Sequence, residues 1–112
     1  MPEPELLSEP FRRLSPREAQ SLIDNGEAIP VDVREDWEYQ RDHIANALHI
    51  PLARILSRPT ESIQRDDLIF ICEVGQRSAV AAEMAAAVGK QRVYNLEGGM
   101  AAWRKEQLPV ER

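Results

Sequence analysis

Residues 68–72, Leu-Ile-Phe-Ile-Cys, form an unbroken apolar run between Asp66-Asp67 and Glu73. With no polar face to turn to water, a strand made from them is buried on both sides, as inside a parallel sheet. The best helix in the chain follows: an alanine-rich stretch from Ser78 to Val88, ended by Gly89. A buried strand running into a helix is the unit from which α/β folds are built.

The rest of the chain repeats the alternation. Ser15-Pro16-Arg17-Glu18 is a helix start in which Ser15 caps, Pro16 takes the first position and Glu18 completes a capping box. Ala19, Leu22 and Ile23 form that helix's apolar stripe, and Asn25-Gly26 ends it. A strand is predicted over 28–33, beginning at or just after Pro30. A helical turn over 36–40, a strand over 47–50 closed by Pro51 and a short helix over 52–56 come next, with a loop around Arg58-Pro59-Thr60. Val93 to Leu96 reads as a strand, and Gly98-Gly99 turns it into a last helix carrying Met100 and Trp103. Residues 1–10, with their prolines and glutamates, read as a frayed lead-in, and 11–112 as one domain. The predicted class is α/β, a mostly parallel sheet with helices on both faces. Ligands of such sheets sit beyond the carboxyl ends of the strands, where Cys72 lies.

Charge and hydropathy narrow the function. Lysine and arginine are scattered and the net charge is −5, which leaves no footprint for nucleic acid. No apolar run approaches the ~20 residues of a membrane span, and the acidic start lacks the layout of a secretory signal, so a cytoplasmic location is expected. The single cysteine can form no internal disulfide and no thiolate zinc site. A lone cysteine is an inert core thiol or a nucleophile, and its neighbours decide between them.

Those neighbours are Glu73, Val74, Gly75, Gln76, Arg77 and Ser78. A tight loop entering a helix aims backbone N–H groups at one point, and the helix dipole adds positive character there. Gly75 permits torsions that a side chain forbids, and Arg77 adds a cation at the rim. A sulfur held in that concavity is biased toward thiolate, and the same amides would stabilise the anion of a terminal persulfide.

Cys72-x-x-Gly75-x-Arg77-Ser78 resembles the active-site loop of the rhodanese family. Asp32-Val33-Arg34, Trp37-Glu38-Tyr39, His43-Ile44, Ala47 and Ile50-Pro51 are similar to that family's first signature, and Asn95 to Met100 with Trp103 to its last. The resemblance runs over about residues 11–108 in order. It implies a five-stranded, mostly parallel sheet in a three-layer α/β/α fold and a sulfurtransferase working through a Cys72 persulfide. The donor would be thiosulfate or a persulfide, and the acceptor a thiol or a sulfur-carrier protein, with no metal or organic cofactor. A non-catalytic docking or regulatory module is the alternative, disfavoured by the joint presence of Cys72, Gly75 and Arg77. Related phosphatases and arsenate reductases place one more residue between cysteine and arginine, so the smaller ring here suits a single sulfur. Where the family has glycine, this chain has Asp42 and Asn46, residues that tolerate left-handed torsions.

Around the loop, Arg77 is expected to bind an anion, because a cation at a helix start is otherwise misplaced. Asp32 is expected to hold loop amides, while Arg34 either contacts substrate or pairs with a carboxylate. Glu38 lies at the pocket or on the surface of its helix. His43 is structural, since an amide-stabilised thiolate needs no base, and His49 has no assigned role. Trp37 and Trp103 read as packing residues, and Gly98-Gly99 as backbone geometry rather than a phosphate loop.

Overall fold

Alternation in the central strand sets the architecture. In the computed structural model, which describes residues 9–112, Leu68–Ile71 forms β4 with every residue buried. Leu68, Phe70 and Cys72 point to one side, into a core with Val31, Val33, Ile55, Ala81, Ala82 and Ala85. Ile69 and Ile71 point to the other, into a core with Leu14, Ala19, Leu96, Met100 and Trp103. A strand's period of two thus feeds both cores.

The remaining elements are β1 (Arg12–Leu14), α1 (Pro16–Asp24), β2 (Ile29–Asp32), α2 (Asp36–Arg41), β3 (Leu48–His49), α3 (Leu52–Ser57), α4 (Pro59–Ser62), α5 (Gln76–Ala87), β5 (Val93–Leu96) and α6 (Gly99–Lys105). The five strands pair in parallel in the order β1-β5-β4-β2-β3. Residues of α3 and α5 cover one face and residues of α1 and α6 the other, giving the expected three layers. The Ser15–Glu18 capping box is formed: Glu18 N donates to Ser15 Oγ at 3.2 Å and Ser15 N to Glu18 Oε1 at 2.9 Å. No helix among the described residues is long and apolar enough to cross a membrane.

Four details differ from the sequence reading. Strand β1 was not anticipated, because only Leu14 of its three residues is buried and no periodic signal exists. Pro30 lies inside β2 rather than at its start. The N–H groups of Ile29 and Val33 bond toward β4, so Pro30's nitrogen faces the β3 side, where pairing begins only at Val31. The expected loop at Arg58-Pro59-Thr60 instead opens the four-residue α4, with Pro59's fixed φ at its first position. Helix α5 begins at Gln76 rather than Ser78, because Gly75 at φ +96° ends the loop early. Of the expected lead-in over 1–10, residues 1–8 lie outside the described residues.

Candidate active site

Cys72 leaves the carboxyl end of β4 fully buried, and two groups converge on its sulfur. Gly75 N–H donates to Sγ at 3.1 Å, and Ser78 Oγ, in the first turn of α5, lies 3.2 Å away. Among the described residues these two groups are the ones within hydrogen-bond distance of the sulfur itself. Behind them stands Asn95 of β5. Its Oδ1 is 2.5 Å from Ser78 Oγ, and its Nδ2 donates to Gly75 O at 3.0 Å. All three side chains, Cys72, Ser78 and Asn95, are buried.

The start of α6 supports the loop from below. Met100 N donates to Cys72 O at 2.9 Å and Ala101 N to Glu73 O at 3.0 Å. Backbone can approach this closely only because Gly99, at φ +60°, has no side chain: a Cβ there would stand 2.6 Å from Glu73 O and closer still to Cys72 O. Gly98-Gly99 is thus backbone geometry in the service of the cysteine loop.

Arg77 does not offer a free charge at the rim. Its two terminal nitrogens donate to Glu38 Oε1 and Oε2 at 2.7 and 2.9 Å, a bidentate pair between α5 and α2. Glu38 faces inward, is buried, and also accepts from Glu35 N at 3.0 Å. The Arg77 guanidinium holds the Glu38 carboxyl down at about 2, against the opposing effect of burial. Glu38 in turn raises Arg77 further above its ordinary range.

Arg34 is fully buried and grips Asp32 through Nε and Nη2 at 3.0 and 2.8 Å, while Nη2 also donates to Asp42 O at 2.6 Å and Nη1 to Glu73 Oε1 at 3.2 Å. Asp32 Oδ1 accepts Arg34's own N–H at 3.0 Å, fixing the turn after β2. Of the two readings open for Arg34, carboxylate pairing is the one observed. Arg104 of α6 bonds Asp42 at 2.6 and 2.7 Å and Glu73 at 2.6 Å, and Arg41 lies 3.7 Å from Glu73. The Arg104 hydrogen bonds hold both carboxyls, Asp42 and Glu73, below the usual carboxylate range. The loop carboxylate Glu73 is therefore tied back into a network of three arginines and three acids, Arg34, Arg41 and Arg104 with Asp32, Asp42 and Glu73, beside which the Arg77–Glu38 pair stands separately.

The two positions expected to need left-handed torsions part company. Asn46 has φ +66°, whereas Asp42 is extended at φ −167° and serves as the carboxylate partner of Arg104. His43 Nδ1 lies 2.8 Å from Tyr39 O and its ring stacks on Tyr39, and His49 Nε2 lies 2.8 Å from Arg34 O. Trp103 is buried and donates to Pro109 O at 2.9 Å. Trp37 is not a packing residue: it is 64% exposed on the outer face of α2, beneath the Arg41 guanidinium, because Glu38 takes the inward position. Val74 projects outward, and Gln76 opens α5.

Sequence reasoning assigned no role to Asn95 or Arg104. A polar residue inside the otherwise apolar strand Val93–Leu96 was a usable signal for Asn95. Arg104 carried none, since its partners come from distant elements.

The chain is similar to several known proteins. The chain is 37% identical over 82 residues to YrkF of Bacillus subtilis, named provisionally as a sulfur carrier protein. That match covers 72% of this chain, which spans 44% of the relative's length. It is 31% identical over 105 residues to the thiosulfate sulfurtransferase GlpE of Actinobacillus pleuropneumoniae, covering 94% of this chain and 97% of that protein. Among solved structures it superposes on a rhodanese-related protein of Thermoplasma volcanium with a TM-score of 0.80 at 29% identity, covering 90% of this chain and 98% of the other. The family model for the rhodanese-like domain matches residues 15–106, and the chain belongs to that family.

Proposed function

We propose that this rhodanese-like domain, residues 11–112, is a sulfurtransferase that carries sulfane sulfur on Cys72. The observation that carries the reading is the convergence of Gly75 N–H and Ser78 Oγ on a sulfur at the start of a helix. In the first half-reaction the Cys72 thiolate attacks the outer sulfur of the donor. A new S–S bond forms, the donor's S–S bond breaks, and its electron pair leaves with sulfite or a thiolate. In the second, a nucleophile takes the terminal sulfur and the pair returns to Cys72. Gly75 N–H and the α5 terminus stabilise the charge in both. Because Sγ is fully buried, donor and acceptor reach it only when the loop over it parts.

The donor class follows from charge. Arg77 is already paired with Glu38 and Glu73 with Arg104, so a thiosulfate dianion must compete with Glu38 for its cation. A protein or small-molecule persulfide makes no such demand and is the proposed natural donor, with a thiol or a sulfur-carrier protein as acceptor. The relatives' names, thiosulfate sulfurtransferase and sulfur carrier, fit that chemistry.

Turnover tests the reading. With thiosulfate or glutathione persulfide as donor and cyanide as acceptor, thiocyanate should form faster with wild type than with Cys72→Ser, whose rate should equal that of donor and cyanide alone, and kcat/KM should be higher for the persulfide. A wild type no faster than Cys72→Ser would leave a docking module; a higher kcat/KM with thiosulfate would reverse the choice of donor.

A further inference from the structure

Hydrogen counting around Cys72 leaves one proton for two acceptors. Gly75 O can only accept, so the Asn95 atom facing it at 3.0 Å is the amide nitrogen, and Oδ1 faces Ser78. Oδ1 also only accepts, so the single Ser78 hydroxyl proton lies on the 2.5 Å line to Asn95. With Cys72 as a thiol the chain closes: S–H donates to Ser78 Oγ, and Oγ–H donates to Asn95 Oδ1. With Cys72 as a thiolate, Sγ at 3.2 Å and Oδ1 at 2.5 Å compete for the same hydroxyl. Asn95 is 6% exposed and its bond to Ser78 is buried, so the loser has little water to turn to.

Resting on the sulfurtransferase reading for its role in turnover, we propose that Asn95 is a positioning residue that alternates with Cys72 for the Ser78 hydroxyl. In the free thiolate the hydroxyl turns to Sγ and leaves Oδ1 unpaired, a cost that opposes ionisation. When the donor's outer sulfur bonds to Sγ, the negative charge moves to the terminal sulfur. Sγ, now joined to two atoms, is a weak acceptor, and the hydroxyl returns to Oδ1. Asn95 therefore restrains the resting thiolate and favours the sulfur-loaded state. The Cys72 proton passes to solvent on ionisation, the Ser78 proton stays on Oγ throughout, and no electrons beyond those of the two S–S bonds move. Through Nδ2 the same side chain holds Gly75, whose N–H is the other group on the sulfur.

The test separates the hydroxyl effect from any loosening of Gly75. Cys72 is the chain's single cysteine, so the rate of alkylation by iodoacetamide against pH reports on it alone. The pH midpoint is measured for wild type, Asn95→Ala, Ser78→Ala and the double variant, with thermal unfolding confirming that each is folded. Loosening of Gly75 is common to both backgrounds and cancels in the cycle. A released hydroxyl exists only where Ser78 is present. The shift caused by Asn95→Ala should therefore lie on the order of one pH unit lower with Ser78 than without it. Equal shifts in the two backgrounds would overturn the proposal. Should Asn95→Ala not fold, Asn95→Val repeats the cycle with a strand-compatible side chain. Alkylation needs only a thiol, so a protein that never loads sulfur still reports the coupling, and one that loads sulfur with additive shifts refutes the role of Asn95 alone.

Discussion

Replacing Gly99 by alanine should damage the cysteine loop from beneath, without touching Cys72. At φ +60° an alanine carries left-handed strain of about 1–2 kcal/mol. Its Cβ would also stand 2.6 Å from both the carbonyl carbon and oxygen of Glu73, backbone atoms that cannot rotate away. Overpacking of that kind costs about 1–3 kcal/mol more, so the total is about 2–5 kcal/mol. Gly26 provides the control: it has φ +72° but nothing within 4 Å of an added Cβ, so Gly26→Ala should cost only the strain, about 1–2 kcal/mol. Denaturant unfolding with an unchanged slope measures both. Gly99→Ala should also lose the Met100 N to Cys72 O bond at 2.9 Å and slow sulfur loading, while Gly26→Ala loads normally. If the two variants are equally destabilised, the close approach of α6 to the loop does not carry the load assigned to it.

Three further outcomes follow from the ion pairs. Glu38 is held at about 2 against an ordinary 4.5, so its pairing with Arg77 contributes stability fully present above about pH 4.5 and lost as pH falls toward 2. With Arg77 37% exposed, that contribution is discounted to about 1–2 kcal/mol, and Glu38→Gln should flatten the acid limb of unfolding free energy against pH by that amount. Arg34→Met leaves Asp32, 1% exposed, without its cation, and should cost about 3–5 kcal/mol in denaturant unfolding. Arg17→Ala, which breaks an exposed pair with Glu106, should cost no more than about 1 kcal/mol in the same measurement.

The fold was legible where one local signal sufficed. An apolar run with no polar face could be only a doubly buried strand, and Leu68–Ile71 is one. Ser15, Pro16 and Glu18 wrote a helix start in adjacent letters, and it forms as written. Strand β1 escaped because its pairing to β5 is decided some eighty residues away, leaving Leu14 as its only buried residue. At the site, the cysteine loop could be read from spacing, but the state of its charges could not. Arg77 looked like a free cation because Glu38, its partner, lies 39 residues upstream. Asp42 looked like a glycine substitute needing unusual torsions, yet it is an extended residue bonded to Arg104 across 62 residues. Local chemistry fixes which residues gather at the loop's own turn; only the assembled sheet decides which distant charge each one meets.

The central claim is that the sulfur gathered by Gly75 and Ser78 accepts a sulfane sulfur, and intact-protein mass spectrometry tests it most directly. After incubation with glutathione persulfide and removal of the donor, the wild type should gain the mass of one sulfur atom, removable by a reducing thiol. Cys72→Ser should gain none. A wild type whose mass matches Cys72→Ser in the absence of any added sulfur, once the side-chain difference is allowed for, would contradict the account.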